Sequence, residues 1–521
     1  MLTKIIYCAF ILIINCHIYA QLFSQAITDY KYDFNWISGQ DSTASPSVNK
    51  RDDILHFDFN PDTLKITKEN GLANFLYTSA SISNRIGNLQ FFTNGCNVYN
   101  HNYKIIENGD FINYPEVTDN YCTGVDNSGY IAPQGAVILP RYNNDSIYDL
   151  ITMEWKLQSN FTILLQYIHH SIINMSSNNG LGKIIVKNNV LLNDSISGLL
   201  TAVRHANNKS WWLISKKENT TKYLLFLFDS TGFVGMHSQD IGIFDKYNDE
   251  SGNGTAFSPD GKKYAHYEPR QGLFLYNFDR ENGLLYNFRF VNIVGHLMDT
   301  LQSGYICFSQ NSRFIYIAEG ANLWQIDAEI DSLKDGIEKI AETDYIKNPN
   351  SNYYTTYGIP TLGPDCRIYI GMYGAQPWFT VINNPDEKGK ASNVVSAKTK
   401  LPMWQWPAFP NMINYRLGTG QPTCDSNKIV LTADNFVIMP QNGPLQVYPN
   451  PGVDYCRVTG FGIDGGMLQI VNSQGDIVQT TKVKRDVTQM ILDTSELQRG
   501  FYFIRYVNKN QVIRVCKWVK I

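Results

Sequence analysis

The sequence lacks the short motifs that mark the best-defined enzyme classes. It contains no phosphate-binding loop, no HExxH zinc-peptidase pair, no CxxC redox pair and no GxSxG nucleophile turn. Charged residues are only 17% of the 521 residues, and the net charge is −3. Without a basic surplus, the composition shows no electrostatic footprint for nucleic acid. The sequence therefore predicts a globular protein with no catalytic residue and no nucleic-acid partner.

Long apolar runs are also scarce, and only an N-terminal one stands out. Lys4, the apolar residues 5–14 and Ala20 before Gln21 are together typical of a signal peptide over residues 1–20. The run is too short for the roughly 20 residues that cross a bilayer, so we expect no transmembrane segment. A lipoprotein site at Cys16 is the weaker alternative, because the residues before it are not small.

Cysteine is sparse as well. Of nine cysteines, Cys8 and Cys16 would leave with the leader, and seven would remain. An odd number permits at most three disulfides. Cys456 and Cys516, in the first and last parts of a C-terminal module, are the preferred pair. Two unpaired buried thiols are the alternative, and spacing does not decide between them.

Aromatic and turn-forming residues are abundant, and they recur. The turn Phe257-Ser-Pro-Asp-Gly261 returns as Phe308-Ser-Gln-Asn-Ser312 and as Leu362-Gly-Pro-Asp-Cys366, at spacings of 51 and 54 residues. Each turn is followed by two strand-like segments, as in a propeller blade. We therefore expect an all-β propeller over residues 21–417, best interpreted as seven blades, with six or eight as alternatives. Residues 332–343 are the only modest helix candidate.

Several of these motifs carry a resemblance. The segments 79–95, 257–261, 363–369, 381–389 and 410–417 together resemble a family of exported Bacteroidetes β-propellers of the WD40-like, gliding-motility-associated type. The resemblance covers residues 36–417 and implies the fold and a location outside the cytoplasm. It carries over no ligand and no reaction.

The sequence changes in character after residue 417. Residues 418–444 are linker-like, and residues 445–521 alternate apolar and polar side chains in six or seven short segments, which predicts a small β-sandwich. This last part has ten Lys and Arg against six Asp and Glu, a net charge of +4, whereas the rest of the chain is negative. The difference in sign indicates a separate module.

The C-terminal module has its own resemblance. The motif residues, which are Tyr448, Pro449, Asn450, Pro451, Gly475, Gly500 and Lys517, are similar in kind and order to the type A sorting domain of type IX secretion. The resemblance implies that the translocon and sorting machinery are partners, and that the protein is secreted or attached to the outer cell surface. It also implies cleavage, where cleavage occurs, between about Cys424 and Leu445.

Aromatic residues in predicted loops are the candidates for ligand binding. Tyr353, Tyr354, Tyr357, Trp404 and Trp406 should reach one mouth of the ring, where they could stack on a glycan or hold a surface protein. Packing between blades is the alternative role for these rings.

Signals for cofactors and metals are weak. Gly460-Phe-Gly-Ile-Asp-Gly465 matches GxGxxG, but a strand-like segment follows it and not a helix, so we expect no cofactor. His169, His170 and His205 have no partner at metal-ligand spacing. Residues 245–253 are rich in oxygen ligands but lack the EF-hand order, and a solvated loop is favoured over a Ca²⁺ site. The sequence thus predicts no metal site.

We therefore expect a non-catalytic binding or interaction protein outside the cell. The alternatives are an extracellular propeller enzyme, such as a lyase, glycosidase or lactonase, and a structural component of gliding or surface assembly. The fold by itself supports all three, because propellers carry many functions.

Overall fold

The computed structural model divides the chain into two compact units with a boundary at Asp434. It describes residues 30–39, 53–61, 63–71, 73–113, 122, 129–157, 163–197, 200–244, 253–293, 303–343, 355–373, 376–407, 409–420, 424, 445–459, 466–483, 489–508 and 511–521. The predicted signal peptide lies outside these residues. Within them, no helix is long and apolar enough to cross a membrane.

Seven antiparallel sheets, numbered 1 to 7 in chain order, lie between residues 35 and 405. Sheet 1 contains β1 (Asn35–Ser38), β2 (Asp53–Asp58) and β3 (Lys65–Asn70), and sheet 2 contains β4 (Ala80–Ser83), β5 (Leu89–Thr93) and β6 (Val98–Asn100). Sheet 3 contains β7 (Ala136–Pro140), β8 (Ile147–Leu157), β9 (Ile163–Asn174) and β10 (Lys183–Asn193), and sheet 4 contains β11 (Thr201–Arg204), β12 (Trp211–Lys216), β13 (Lys222–Asp229) and β14 (Gly232–Asp240).

The last three sheets have four strands each. Sheet 5 contains β15 (Gly254–Phe257), β16 (Lys263–Glu268), β17 (Gly272–Asp279) and β18 (Leu284–Val291). Sheet 6 contains β19 (Gly304–Phe308), β20 (Phe314–Glu319), β21 (Asn322–Asp327) and β22 (Ile337–Glu342), and sheet 7 contains β23 (Tyr357–Leu362), β24 (Ile368–Met372), β25 (Gln376–Ile382) and β26 (Val394–Gln405). Short 3₁₀ turns span Asn178–Gly180, Leu333–Gly336 and Gly389–Ser392.

The seven sheets form a ring. β11, β15, β19 and β23 are successive neighbours, as are β1, β4 and β7. The circle of sheets closes where sheet 1 packs on sheet 7. The aromatic centroids of Trp36 and Tyr369 are 5.5 Å apart there, and those of Phe57 and Phe379 are 6.1 Å apart. Radial sheets with adjacent first strands are the arrangement of a β-propeller, which confirms the predicted fold class. The number of blades stays a prediction.

The recurring turns adopt the backbone that the sequence pattern demands. Gly261, Ser312 and Cys366 all have a positive φ, of 71°, 64° and 68°. Only glycine takes this conformation without strain, so the other two turns hold their residues at some cost in energy.

Residues 332–343 do not form the predicted helix. A single 3₁₀ turn, Leu333–Gly336, leads into β22, which pairs with β21 as the outer strand of sheet 6. The pattern was misleading because an edge strand exposes polar residues much as a surface helix does, and pairing with β21 overrides local helix propensity.

Two disulfides link Cys96 to Cys122 and Cys366 to Cys424, whereas Cys307, Cys456 and Cys516 are free thiols. The preferred pair Cys456–Cys516 was therefore wrong, and the alternative of two unpaired thiols is correct. Cys456 lies on β28 (Tyr455–Thr459) and Cys516 on β33 (Gln511–Lys520), which belong to different sheets. The Cys516 thiol instead contacts the Ile504 carbonyl of its own sheet at 3.7 Å.

The second unit is a small β-sandwich. One sheet contains β27 (Gln446–Tyr448), β28 and β31 (Gln489–Asp493), and the other contains β29 (Gly466–Val471), β30 (Ile477–Val483), β32 (Gly500–Asn508) and β33. Leu468, Ile504 and Trp518 are at most 1% exposed in the core between them. The predicted strands of this module are confirmed, including the strand that follows the GxGxxG-like segment.

Candidate functional site: a filled channel and an aromatic mouth

The centre of the ring is occupied by the chain itself. Residues 409–417, here called the channel segment, follow β26 and cross the first strands of several sheets. The Asn411 side-chain amide donates to the carbonyls of Leu200 (2.8 Å) and Ala136 (3.1 Å). Its backbone N–H donates to the carbonyl of Ser79 at 2.8 Å. One asparagine thus connects sheets 2, 3 and 4.

The rest of the channel segment is anchored in the same way. Asn414 donates to the Pro259 carbonyl (2.7 Å), and the Tyr415 hydroxyl donates to the Ile138 carbonyl (3.0 Å). Arg416 forms an ion pair of 2.5 Å with Asp33, and both side chains are at most 10% exposed. The resemblance motif at residues 410–417 is therefore explained by packing in the channel.

Little open space remains beside the channel segment. Gln134, just before sheet 3, forms two hydrogen bonds with the backbone of Thr255 in sheet 5. The Gln134 side chain accepts from the Thr255 N–H and donates to the Thr255 carbonyl, each at 3.0 Å. In the described part of the chain, a cavity beside the channel segment has a volume of about 90 Å³. Pockets for small organic ligands are usually about 300–1,000 Å³. This cavity can hold a few water molecules and is too small for a sugar ring.

At the mouth where β15, β19 and β23 begin, aromatic rings lie together. The Tyr77 ring contacts the rings of Tyr373 and Trp406, with centroids 5.9 and 6.2 Å apart. All three side chains are half-buried. The hydroxyl oxygens of Tyr373 and the buried Tyr305 are 2.8 Å apart. We call Tyr77, Tyr373 and Trp406 the aromatic mouth.

The predicted binding aromatics divide into three groups. Trp406 belongs to the aromatic mouth, and Trp404 is half-buried in β26. Tyr353 and Tyr354 lie outside the described residues. Tyr357 is a correction, because its ring is fully buried in β23 and its hydroxyl lies 2.9 Å from that of Ser396. Its role is packing, the alternative that the sequence left open.

Sequence reasoning missed a polar group near the same mouth. Glu319 ends β20 and is 5% exposed, and burial raises the pKa of its carboxyl to about 7. The Tyr267 phenol lies beside this carboxyl, and Asn253, which precedes β15, is 1% exposed. Glu268 and Glu319 both end the second strand of a repeat unit, and that recurrence was the available signal.

The three histidines have local partners. His169 bonds to the Glu154 carboxylate at 2.8 Å, and His170 bonds to Asp149 at 2.7 Å. Asp149 also accepts two hydrogen bonds from Arg141. The His205 ring stacks on Trp212. In the described part of the chain, no three His, Cys, Asp or Glu side chains come together as a metal site.

The motif residues of the C-terminal unit hold its two ends together. Asn450 donates to the Lys517 carbonyl (2.8 Å) and accepts from the Val519 N–H (3.0 Å). The Trp518 indole donates to the Pro449 carbonyl at 3.0 Å. A Cβ on Gly452 would come within 2.9 Å of the Trp518 ring. The Tyr-Pro-Asn-Pro-Gly turn thus requires the terminal strand, which explains why the two motifs occur together.

The outer surface of this unit is unusually apolar. Phe501 and Phe503 on β32 are 56% and 43% exposed, and Val515 on β33 is 53% exposed. The Lys517 ammonium lies 4.4 Å from the centre of the Phe501 ring. Exposed apolar side chains beside a cation are typical of a surface that contacts another protein.

Residues 446–520 match the family model of the secretion system C-terminal sorting domain. The C-terminal unit is a type IX sorting domain. The protein is therefore exported, and it is attached to the cell surface or secreted. The sorting domain also implies interaction with the type IX machinery.

Among solved structures, the chain is similar to PorZ, a surface component of the type IX secretion system of Porphyromonas gingivalis, at 11% identity and a TM-score of 0.29, covering 91% of this chain and 68% of that one. The Pseudomonas aeruginosa periplasmic gluconolactonase PpgL matches at 9% identity and a TM-score of 0.32, with coverages of 70% and 90%. The β-propeller domain of Myceliophteria thermophila Cps50 matches at 10% and 0.30, with coverages of 64% and 87%. No curated protein matches the chain. Likenesses this distant transfer no activity.

Proposed function

We propose that this sorted propeller is a non-catalytic binding protein that holds a glycan at its aromatic mouth. The observation that carries the proposal is the filled channel. Because the channel segment occupies the centre of the ring, a ligand has to bind at the rim. The three half-buried rings of Tyr77, Tyr373 and Trp406 supply apolar faces there.

The chemistry of the mouth suits a sugar. Half-buried aromatic rings present flat apolar faces together with a hydroxyl or indole N–H, and such faces pack against the C–H side of a pyranose. Each ring contact contributes roughly 25 cal/mol for every Å² of apolar surface that it removes from water. Two or three rings would therefore give modest affinity, as expected for a protein that samples surface glycans.

The test is a glycan array probed with the full-length exported protein, followed by a turnover assay on every glycan bound. Trp406→Ala should weaken binding about tenfold, which corresponds to 1.4 kcal/mol. Trp378→Ala is the matched control, since this tryptophan is also half-buried but lies on β25 against Lys400.

The outcomes separate the alternatives. Selective binding that is lost in Trp406→Ala and kept in Trp378→Ala supports the proposal. Turnover of a bound glycan contradicts the non-catalytic part and favours a propeller enzyme. An array with no bound glycan contradicts the choice of ligand and directs the search to surface proteins.

A further inference from the structure

A buried carboxyl lies in the contact between sheets 5 and 6. Glu319 is the last residue of β20 and is 5% exposed. Alternate residues of a strand point to the same face, so Glu319 shares its face with Ile315 and Ile317. Those two side chains belong to the apolar cluster between the two sheets. The Oε2 atom of Glu319 has no hydrogen-bond partner among the described residues. This carboxyl is therefore buried at the edge of an apolar interface.

Tyr267 of sheet 5 is the polar group that faces this carboxyl. Glu319 pairs with Gly304 across sheet 6, and a Cβ on Gly304 would lie 2.3 Å from the Tyr267 ring. The absence of a side chain at Gly304 leaves the space in which that ring lies. Tyr267 is fully buried, and its phenol interacts with the Glu319 carboxyl. The two groups thus meet directly across the interface between the sheets.

No positive charge compensates the carboxyl in the described part of the chain, where Tyr267 is the only titratable group that acts on it. Glu342 of β22 lies two strands away in the same row of sheet 6, and it is exposed and bonded to Lys339 at 2.7 Å. The other titratable side chains of β16 to β21 lie on opposite faces, at the far ends of their strands or in solvent; they are Lys263, Tyr264, His266, Glu268, Tyr276, Asp279, Tyr286, Arg289, Tyr305, Cys307, Tyr316 and Asp327.

A buried carboxyl without a cation is more stable in its neutral form. Burial accordingly raises the pKa of Glu319 from 4.5 to about 7, and the bond from Tyr267 opposes part of this rise. Between these two pH values the folded protein binds a proton that the unfolded chain has released. The stability of the ring should therefore fall as the pH rises through this range, and it should change no further above the folded pKa.

We propose that Glu319 and Tyr267 form a pH-responsive contact between sheets 5 and 6, tight while Glu319 is protonated and weakened when it is ionised. Ionisation places an uncompensated charge between two sheets, which loosens this end of the ring. The contact lies next to the aromatic mouth, because Tyr305 follows Gly304 and its hydroxyl is 2.8 Å from that of Tyr373. The inference is independent of the glycan proposal, since proton binding is measured without a ligand.

The test is chemical unfolding of the full-length protein from pH 5 to pH 8, followed in the transition of the ring. Over this range the folding equilibrium constant of the wild type should fall by about 10²-fold relative to that of Glu319→Gln. Glutamine has the size of the neutral carboxyl and cannot ionise, so the two proteins should be about equally stable at pH 5. Glu342→Gln, which changes an exposed carboxylate of the same sheet, is the matched control and should keep the pH dependence of the wild type.

A local measurement separates this contact from a general effect of pH. Hydrogen exchange followed by mass spectrometry, corrected for the intrinsic pH dependence of exchange, should be faster in β19 and β20 at pH 8 than at pH 6. This difference should be absent from Glu319→Gln. Tyr267→Phe fills the same space but removes the bond that lowers the pKa of Glu319, so its loss of stability should move to higher pH.

Three results would overturn the proposal. Parallel pH profiles of the wild type and Glu319→Gln would mean that this carboxyl does not titrate in the folded ring. Lower stability of Glu319→Gln than of the wild type at pH 8 would mean that the charged form is the favoured one. A shift of the Tyr267→Phe profile to lower pH would mean that the phenol does not act on the carboxylate.

Discussion

Both units of this protein are built from antiparallel β-strands, but they differ in where their large apolar side chains lie. In the ring, aromatic and aliphatic side chains are directed between sheets and into the channel. In the sorting domain, ten of the 22 large apolar side chains that are exposed in the described residues belong to residues 445–521, a much smaller part of the chain. The difference indicates that the sandwich carries a larger share of the apolar surface that another protein could contact.

The two units also differ in the interactions that stabilise each of them from within. The ring has a buried ion pair, a hydrogen-bonded channel segment and two disulfides. The sandwich has a core of about a dozen side chains, two unbonded cysteines and a turn that is hydrogen-bonded to the last strand. Small domains bury a smaller fraction of their surface and are correspondingly less stable.

The strongest test of the comparison removes one unit. Deleting Leu445–Ile521 should abolish export and leave the protein in the periplasm, while the ring keeps its disulfides and its far-ultraviolet β signal. Cell fractionation and non-reducing gel mobility measure the two effects. Normal release of the truncated protein would contradict the assignment of sorting to this unit.

Removing the buried ion pair of the channel segment should cause the largest loss in the stability of the ring. Arg416→Ala leaves Asp33 buried without its partner, and removing one member of a buried pair costs about 3–5 kcal/mol. Chemical denaturation of the full-length protein should show this loss in the transition of the ring. Lys183→Ala, in a pair whose side chains are 41% and 49% exposed, should cost about 0–1 kcal/mol. Similar losses in the two variants would mean that the segment contributes little stability.

Removing the disulfide that follows the channel segment along the chain should have a smaller effect. The Cys366–Cys424 bond closes a loop with a sequence separation of 58 residues, and replacing both cysteines by serine should destabilise the ring by about 2–4 kcal/mol. The unfolding transition of the sandwich should show no such loss of stability. A shift of the sandwich transition alone would contradict this placement of the bond.

Exposed aromatic residues of the sorting domain should affect export and not folding. Phe501→Ser with Phe503→Ser should change the free energy of unfolding by no more than about 1 kcal/mol, because both side chains lie on the surface and are about half exposed. Export should fall several-fold in a secretion assay. Tyr286→Ser, an exposed aromatic of β18, is the control and should be exported normally. Normal export of the double variant would mean that the machinery reads another surface.

The free thiols should show no reaction in the native protein. Burial raises the pKa of Cys307, Cys456 and Cys516 to about 12, so at pH 8 only about one thiol in 10⁴ is ionised. Iodoacetamide should therefore label none of them until the protein is unfolded, when mass spectrometry should find three labels. The pKa values predict faster labelling as the pH rises toward 12. Rapid labelling of Cys456 or Cys516 at pH 8 would show that the core of the sandwich opens.

By itself, the sequence determined the class of fold, the separate C-terminal unit and the route of export. These depend on local patterns, such as alternating apolar residues, the turn at Gly261 and the Tyr-Pro-Asn-Pro motif, and local patterns survive in a linear string. It also placed Trp406 at the mouth of the ring. It left the pairing of cysteines open, and it mistook an edge strand for a helix because both expose polar residues.

Only the tertiary structure decided what lies in the centre of the ring and beside its mouth. Asn411 meets Ser79, Ala136 and Leu200, and Arg416 meets Asp33 almost 400 positions away. Tyr77 meets Tyr373, and Tyr267 meets Glu319 where two glycines let sheets 5 and 6 approach. These groups have no fixed spacing along the chain. They are neighbours because the ring closes, and ring closure depends on contacts between residues that are distant in sequence.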